Sequence, residues 1–599
     1  MSLAKQQKPG DSIPDFNAAV AANSVGYDTP PSLSTDDREN KQSLRDPGTL
    51  LVNGEGTNYI DSANWRAILE EVCIDPDIIE NCELTESKIN GVKEHIEELA
   101  ENSDDDGLEE DPYSDNSPAL LLGTGRPFSK EELIVDIPPR STVDRLVSRF
   151  LKTPEPSILA IHVPTFQKEY EQFWTFPQGM SYTWIALLYS IMALSISMYH
   201  RSDEPLPLNT VDSMTAWNHF RRLAAQCLTQ ANYITPGQHK VEALLMYTLS
   251  EFYRNLDAQM GVSFLFGITI RLAMRMGYHR DPSHYPGLSA KDGEMRRRTW
   301  ALLTQLDTLI SFQVGLPRTI QPWFSDTGLP SNLLDTDFDE DTTVLPQSRP
   351  DDERTPSSYT CAKARIQHVF GQISDLAYSR EPVSYDEILE IERRLDESHN
   401  MLPSFFRIRP IGQCIADPSE LVMRRYTLEM LYQKARIVLH RPYLGERHRH
   451  DHSRVVCLTA AKETLRHHAD IWNESLPGGQ FRAERFFVNS FQNTDFVLSS
   501  MILCLELSHD NERGHNAHLS LQERTNILVL LETTQKIFGE TRRRSVDTQR
   551  AFAALSLMLG RVKGNPLQSL SSRSDSQDIS MEGMSETFFL GGDANQETR

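Results

Sequence analysis

Catalytic punctuation is missing from this chain. No G-x-S-x-G, H-E-x-x-H or Walker loop occurs, and Gly123 and Gly125 lack the third glycine of a dinucleotide-binding turn. Those absences remove serine-hydrolase, zincin, P-loop and Rossmann chemistry. Cysteine is sparse as well: Cys73, Cys82, Cys227, Cys361, Cys414, Cys457 and Cys504 are scattered, odd in number and without any C-x2-C. Such a set excludes a disulfide scaffold and points to a reducing, intracellular setting. Positive charge is short, with 60 Lys and Arg against 84 Asp and Glu and a net charge of −24. The average surface repels a polyanion, so any contact with DNA has to be local. Residues 1–30 carry no apolar leader. The most apolar run, WIALLYSIMALSISMY at 184–199, is shorter than the roughly 20 residues that span a bilayer. It reads as a buried helix, and no membrane is expected as a partner. Strand signals are scarce, and no internal repeat of fixed period is present.

What the chain does have is helical periodicity, densest between Ile268 and Ile320. Val262, Leu265, Phe266, Thr269, Leu272, Ala273 and Met276 recur at three- and four-residue steps, with Arg271 and Arg275 off that face. Gly277 supplies a left-handed stop and Pro282 prevents continuation. A second helix is expected to start at Ser289, with Asp292 at capping-box spacing, and to present Thr299, Leu302, Leu303, Leu306 and Ile310 until Gly315 and Pro317 end it. At 599 residues the chain is long enough for several domains or one large helical array.

These residues also carry a resemblance. RLAMRMGYHRDPS, EMRRRTWALLTQLDTLIS and GLPRTI, in that order, resemble the regulatory (middle homology) domain of fungal zinc-cluster transcription factors. Residues 136–140 and 161–166, with Glu169, Tyr170 and Trp174 following, are similar to the start of that domain, and YQKARIVLHRPYL (432–444) and FVLSSMILCLEL (496–507) are similar to its later part. The resemblance implies an all-α regulatory domain with no active site, joined to an N-terminal binuclear zinc cluster that binds DNA in the nucleus. The cluster itself needs six thiolates in two tight triplets so that two zinc ions can share sulfurs. Only Cys73 and Cys82 lie within ten residues of each other. The cluster and the basic segment that follows it are absent from this chain, which leaves open an incomplete gene product or a cluster-less relative.

The chain divides by composition. Residues 1–117 read as a disordered and acidic linker with a small ordered segment near 48–80: strand-like at Leu50 to Val52 and again at Tyr59 and Ile60, then a Trp65 helix capped near Ser62. The acidic run at 94–115 reads as a solvated linker. Residues 118–335 form the first half of the regulatory domain, with a helix over Val143, Leu146, Val147 and Phe150 capped by Ser141 after Pro138 and Pro139. An acidic, Pro-rich loop occupies 336–358, a second helical half 359–562 and a disordered tail 563–599.

Three clusters invite a metal or phosphate reading. Asp335, Asp337, Asp339 and Asp341 lie in DTDFDED, but Glu340 and Pro346 stand where a calcium loop needs Gly and Glu. The run is also similar to the magnesium-binding carboxylates of isoprenoid synthases, without the second motif such enzymes carry; a solvated loop is preferred. His448, His450 and His452, near Cys457, are read as a surface turn after Pro442, and His467 and His468 as ordinary helix residues. Arg296, Arg297 and Arg298 point in three directions on a helix and are expected to pair with Glu and Asp rather than with phosphate.

The resulting expectation is an all-α helical array between disordered ends that regulates RNA polymerase II genes in a fungal nucleus. No residue is assigned as catalytic, cofactor-binding or metal-binding, and no cofactor belongs to this chain; zinc belongs to the missing cluster. Expected partners are the transcription machinery, DNA through a restored cluster or a partner protein, and a homo- or hetero-dimer mate. The competing readings are a magnesium-dependent isoprenoid-synthase-like enzyme using the 335–341 carboxylates and an adaptor that does not bind DNA.

Overall fold

A computed structural model describes a hairpin at 49–53 and 56–60 and residues 118–562, apart from short breaks at 123–125, 154, 209–211, 255–256, 258, 380–382, 445–449, 486–487, 489, 513–518 and 543–544. The disorder expected of both ends, the acidic run at 94–115 and the Trp65 helix fall outside the described residues. The hairpin pairs β1 (Thr49–Asn53) with β2 (Gly56–Ile60) antiparallel, Leu50 opposite Tyr59. Both strand-like stretches of the sequence are therefore strands, and they face each other.

The other described elements are α-helices and short 3₁₀ turns joined by loops. The first group comprises α1 (Ala119–Leu122), α2 (Lys130–Val135), α3 (Arg140–Leu151), α4 (Val163–Thr175), α5 (Tyr182–Ser202), α6 (Ser213–Gln230), α7 (Lys240–Phe252) and α8 (Met260–Arg275). Helix α5 is its axle, packed by α3, α6 and α7. It is long and apolar enough to cross a membrane, but most of it is buried inside the protein. Its polar groups are satisfied within the core: the Tyr189 hydroxyl donates to the Leu133 carbonyl at 2.5 Å, and Ser195 donates to Leu146 at 2.6 Å. That internal satisfaction is what allows Ser190, Ser195 and Ser197 in its apolar stretch. Helix α3 buries Val143, Leu146, Val147 and Phe150 as its spacing requires. Ser141 is not its cap: the carbonyl of Pro139 accepts from Thr142 and Val143, so the helix begins at Arg140 and Ser141 already lies inside it.

Helix α9 (Ala290–Val314) joins the two halves. Ser289 caps it, accepting from the Asp292 N–H at 3.0 Å, and Gly315 ends it at φ 73°. Gly277 closes α8 at φ 81°. Only glycine takes these left-handed positions without strain. Helix α9 is buried on more than one side, and its residues divide between two apolar clusters. Leu302, Leu303 and Ile310 join the cluster built around α5, while Leu309 and Phe312 join a second with Tyr359, Ile366 and Phe370.

The second half consists of α10 (Pro356–Ala377), α11 (Tyr385–Asn400), α12 (Ser419–His440), α13 (Asp451–Glu474), α14 (Ser490–Glu512), α15 (Leu521–Thr541) and α16 (Val546–Val562). Helix α12 is the second axle, surrounded by α10, α11, α13 and α14. The α5-centred cluster does not stop at residue 335, because Val422, Tyr426, Leu465, Met501 and Leu555 belong to it as well. The array is thus one packed body whose halves share a core through α9.

Candidate functional site

The acidic run is not a free loop. Asp335 accepts from Arg298 Nη1 at 2.5 Å and from the Val163 N–H at 3.0 Å. Asp337 pairs with Arg349 and accepts from the Leu334 N–H at 2.7 Å. Glu340 takes Thr165 at 2.5 Å, Lys168 at 2.8 Å and Lys291 at 3.0 Å. Lys168 above all holds the Glu340 carboxyl well below the usual range, as Arg349 does for Asp337. The loop expected to be solvated is therefore in part a tethered strap: Asp335, Asp337 and Glu340 are paired with cations from α4 and α9 and from its own continuation, while Asp339 and Asp341 stay exposed. The alternation of Asp in the sequence carried no sign of those partners. No group of three or more candidate metal ligands occurs among the described residues.

The three arginines diverge as their helical positions demand. Arg296 donates to the Met276 carbonyl at 2.6 Å and covers the Tyr278 ring; Arg297 forks onto Asp281 at 3.0 and 2.7 Å; Arg298 holds Glu294 at 3.1 Å as well as Asp335. None is left for phosphate. The histidines after Pro442 do not form a plain surface turn. His450 is buried against Tyr385, with ring centres 4.0 Å apart, and His452 bonds Glu392 at 2.7 Å. His440 approaches the same Glu392 to 3.6 Å. Burial opposes ionisation of Glu392, but His440 and His452 outweigh it and hold its pKa at about 2. His448 and Arg543 to Arg544 lie outside the described residues. Cys457 is buried, its thiol pushed up to about 12 by desolvation, and His468 stacks on Phe496 at 3.9 Å. The described cysteines, Cys227, Cys361, Cys414, Cys457 and Cys504, are free thiols, four of them buried. Spread over different helices, they do not fit a shared zinc site.

Two cavities stand out among the described residues. The outer one, of about 320 Å³, lies beside α4 and α7. Several of its polar groups already pair with one another: His239 with Glu169 at 3.1 Å, Tyr278 with Glu242 at 3.1 Å, and Lys291 with the strap. The inner cavity, of about 90 Å³, opens where six chain stretches converge: the 3₁₀ turn Pro156–Ala160, the end of α7, the middle of α9, the start of α10, the middle of α12 and the start of α14. Leu249, Phe252, Leu306, Leu309, Met430 and Phe491 supply apolar wall. Its polar groups converge in unequal states. The Tyr253 hydroxyl donates to Glu155 at 2.5 Å, and Lys434 pairs with Asp495 at 2.5 Å. Lys363 has no hydrogen-bond or ion-pair partner among the described residues. Burial pushes Lys363 down to about 8 and Asp495 up to about 6, and raises Glu155. An apolar, enclosed pocket with a few perturbed titratable groups is the physical signature of a binding site. Sequence reading assigned none of these residues. The available signal was the helical face that Lys434 shares with Met430, Leu431, Ile437 and Val438.

Comparison with known proteins points to one family. A family profile described as "Fungal specific transcription factor domain" matches residues 147–400. The Equisetin cluster transcription factor of Fusarium heterosporum is 34% identical over 566 residues, covering 92% of this chain and 78% of that protein. The Fusarisetin A cluster transcription factor of a Fusarium species is 33% identical, covering 92% of this chain and 71% of the relative. A "Zn(2)-C6 fungal-type transcription factor" of Monascus ruber is 35% identical over 77% of this chain and 55% of its own length.

Proposed function

This chain belongs to the family of fungal-specific transcription factors, a transcription regulator by descent, and from that membership we propose that it works in the nucleus as the control unit for a set of clustered genes. The observation that carries the cluster assignment is that relatives covering most of this chain bear the names of the Equisetin, Fusarisetin A and Pyrrolocin clusters. The helical array supplies regulation rather than catalysis: of the carboxylates that an isoprenoid-synthase-like enzyme would use at 335–341, Asp335 and Asp337 are engaged with Arg298 and Arg349, as is the neighbouring Glu340 with Lys168. It reaches the transcription machinery and DNA as part of a larger assembly, with a partner chain or a zinc cluster reading the sequence, because the net charge of −24 disfavours broad contact between this surface and DNA. A molecule that prefers one packing of the array over another shifts that equilibrium by its differential affinity.

Transcript profiling of a strain lacking this gene, together with imaging of a tagged chain, tests the proposal. The expected result is loss or release of expression across a contiguous group of genes and accumulation of the tag in the nucleus. An unchanged transcript profile with the tag excluded from the nucleus would refute it and favour the adaptor reading.

A further inference from the structure

The inner cavity contains one ammonium to which the fold gives no hydrogen bond or ion pair among the described residues. Glu155 accepts the Tyr253 hydroxyl, and Asp495 is paired with Lys434. Only the Lys363 ammonium has no hydrogen-bond or ion-pair partner among the described residues; the side chain lines the cavity half-buried, with the Glu155 carboxylate as the opposite charge acting on it. A half-buried ammonium with no hydrogen-bond acceptor of its own, set beside an apolar wall, is open to pairing with an anion from outside. The cavity of about 90 Å³ exceeds what a single water needs, about 10–15 Å³ by the same measure. Away from Lys363, much of its wall is aliphatic or aromatic.

We propose that this cavity binds a small organic monoanion, a carboxylate carried on a short apolar body. The anionic end pairs with Lys363, and the body lies against Leu306, Leu309, Phe252 and Met430. A cationic ligand fits less well, because both carboxylates in the wall already accept from the protein. The position gives such a ligand leverage on the whole array. It touches the 156–160 turn, α7, α9, α10, α12 and α14 together, so filling or emptying it acts on the helix shared by both halves. The inference rests on the regulatory reading for its biological meaning, but not for its test.

The probes are straight-chain carboxylates from propanoate to octanoate, with the primary amide and the alkylammonium of each length as controls, titrated into the purified full chain by calorimetry and thermal shift. Carboxylates of an intermediate length bind and raise the melting temperature, while the matching amides and ammonium ions bind about tenfold or more weakly, the value of one charge-assisted hydrogen bond. Lys363→Met removes carboxylate binding by at least the same factor and still folds, since it breaks no hydrogen bond or ion pair and keeps a similar volume. Leu306→Phe, which fills the apolar end, also removes binding while leaving Lys363 in place. Equal binding of amide and carboxylate, carboxylate affinity retained in Lys363→Met, or no carboxylate binding at any length each overturn the proposal. A chain that binds the acid yet leaves transcription untouched when deleted would instead overturn the regulatory reading alone.

Discussion

Replacing Arg298 with methionine is the most informative single perturbation of the array. Arg298 and Glu294 are both fully buried on α9, and the guanidinium simultaneously bonds Glu294, Asp335 and the Leu333 carbonyl while lying over the Phe338 ring. Removing one member of a buried ion pair strands the other, which costs about 3–5 kcal/mol. Arg298→Met should therefore lower unfolding free energy by that amount, measured by urea titration followed by circular dichroism. The loss also has a sign in pH. Burial already raises the Glu294 pKa against the pull of Arg298, and without Arg298 the rise is larger. A carboxyl whose folded pKa exceeds its unfolded value favours the folded state while protonated and loses that advantage as pH rises past the unfolded value. The variant should be less impaired near pH 5 than near pH 8. Adding Glu294→Gln, whose amide oxygen can still accept from the Ser331 N–H, should recover much of the loss and flatten the pH dependence. Because Asp335 loses its main cation, trypsin should also cut at Arg349 faster in the single variant. A cost below about 1 kcal/mol, or one independent of pH, would refute the claim that this buried pair ties the acidic strap to α9.

Two further outcomes follow from the packing. Gly371 sits on α10 where an added Cβ would lie 2.7 Å from Arg318 Nη1, and Arg318 forks onto Asp375 at 2.9 and 2.6 Å. Gly371→Ala should destabilise by about 1–2 kcal/mol by displacing that fork, whereas in an Arg318→Ala background the same change should stabilise by about 1 kcal/mol through helix propensity; equal signs in both backgrounds would contradict the geometry. His468 is desolvated against Phe496, and burial pushes its pKa down to about 3. Its folded pKa lies below the unfolded value near 6.5, so stability falls as pH drops from 6.5 towards 3, by about 2 kcal/mol at pH 5. His468→Leu should remove that part of the acid sensitivity in denaturant midpoints at pH 7 and 5, and identical losses in both proteins would show that His468 is not the group responsible.

Helix limits were legible wherever the rule is local. The period of α3 and the serine cap and glycine stop of α9 depend on neighbours within a few residues, and the linear pattern contains them. Ser141 misled because a polar residue after two prolines is also a good cap; the backbone carbonyl of Pro139 took that role first. The divergence of Arg296, Arg297 and Arg298 was readable for the same reason, since the angle between successive helical positions is fixed by the helix itself.

The acidic strap and the inner cavity were not legible, because they depend on distance through space. Asp335 and Glu340 looked solvated in the linear sequence, since Arg298 and Lys168 lie far from them along the chain. Lys434 and Asp495 likewise meet only after α12 and α14 pack, and nothing local to Lys363 says that no partner arrives. By itself the sequence determined the helical class, the helix ends and the absence of a six-cysteine cluster, all properties of residue type and short-range spacing. Tertiary structure alone decided which charges are neutralised, that both halves share one core through α9, and which single ammonium faces an apolar cavity, because burial and long-range pairing exist only once the helices are packed.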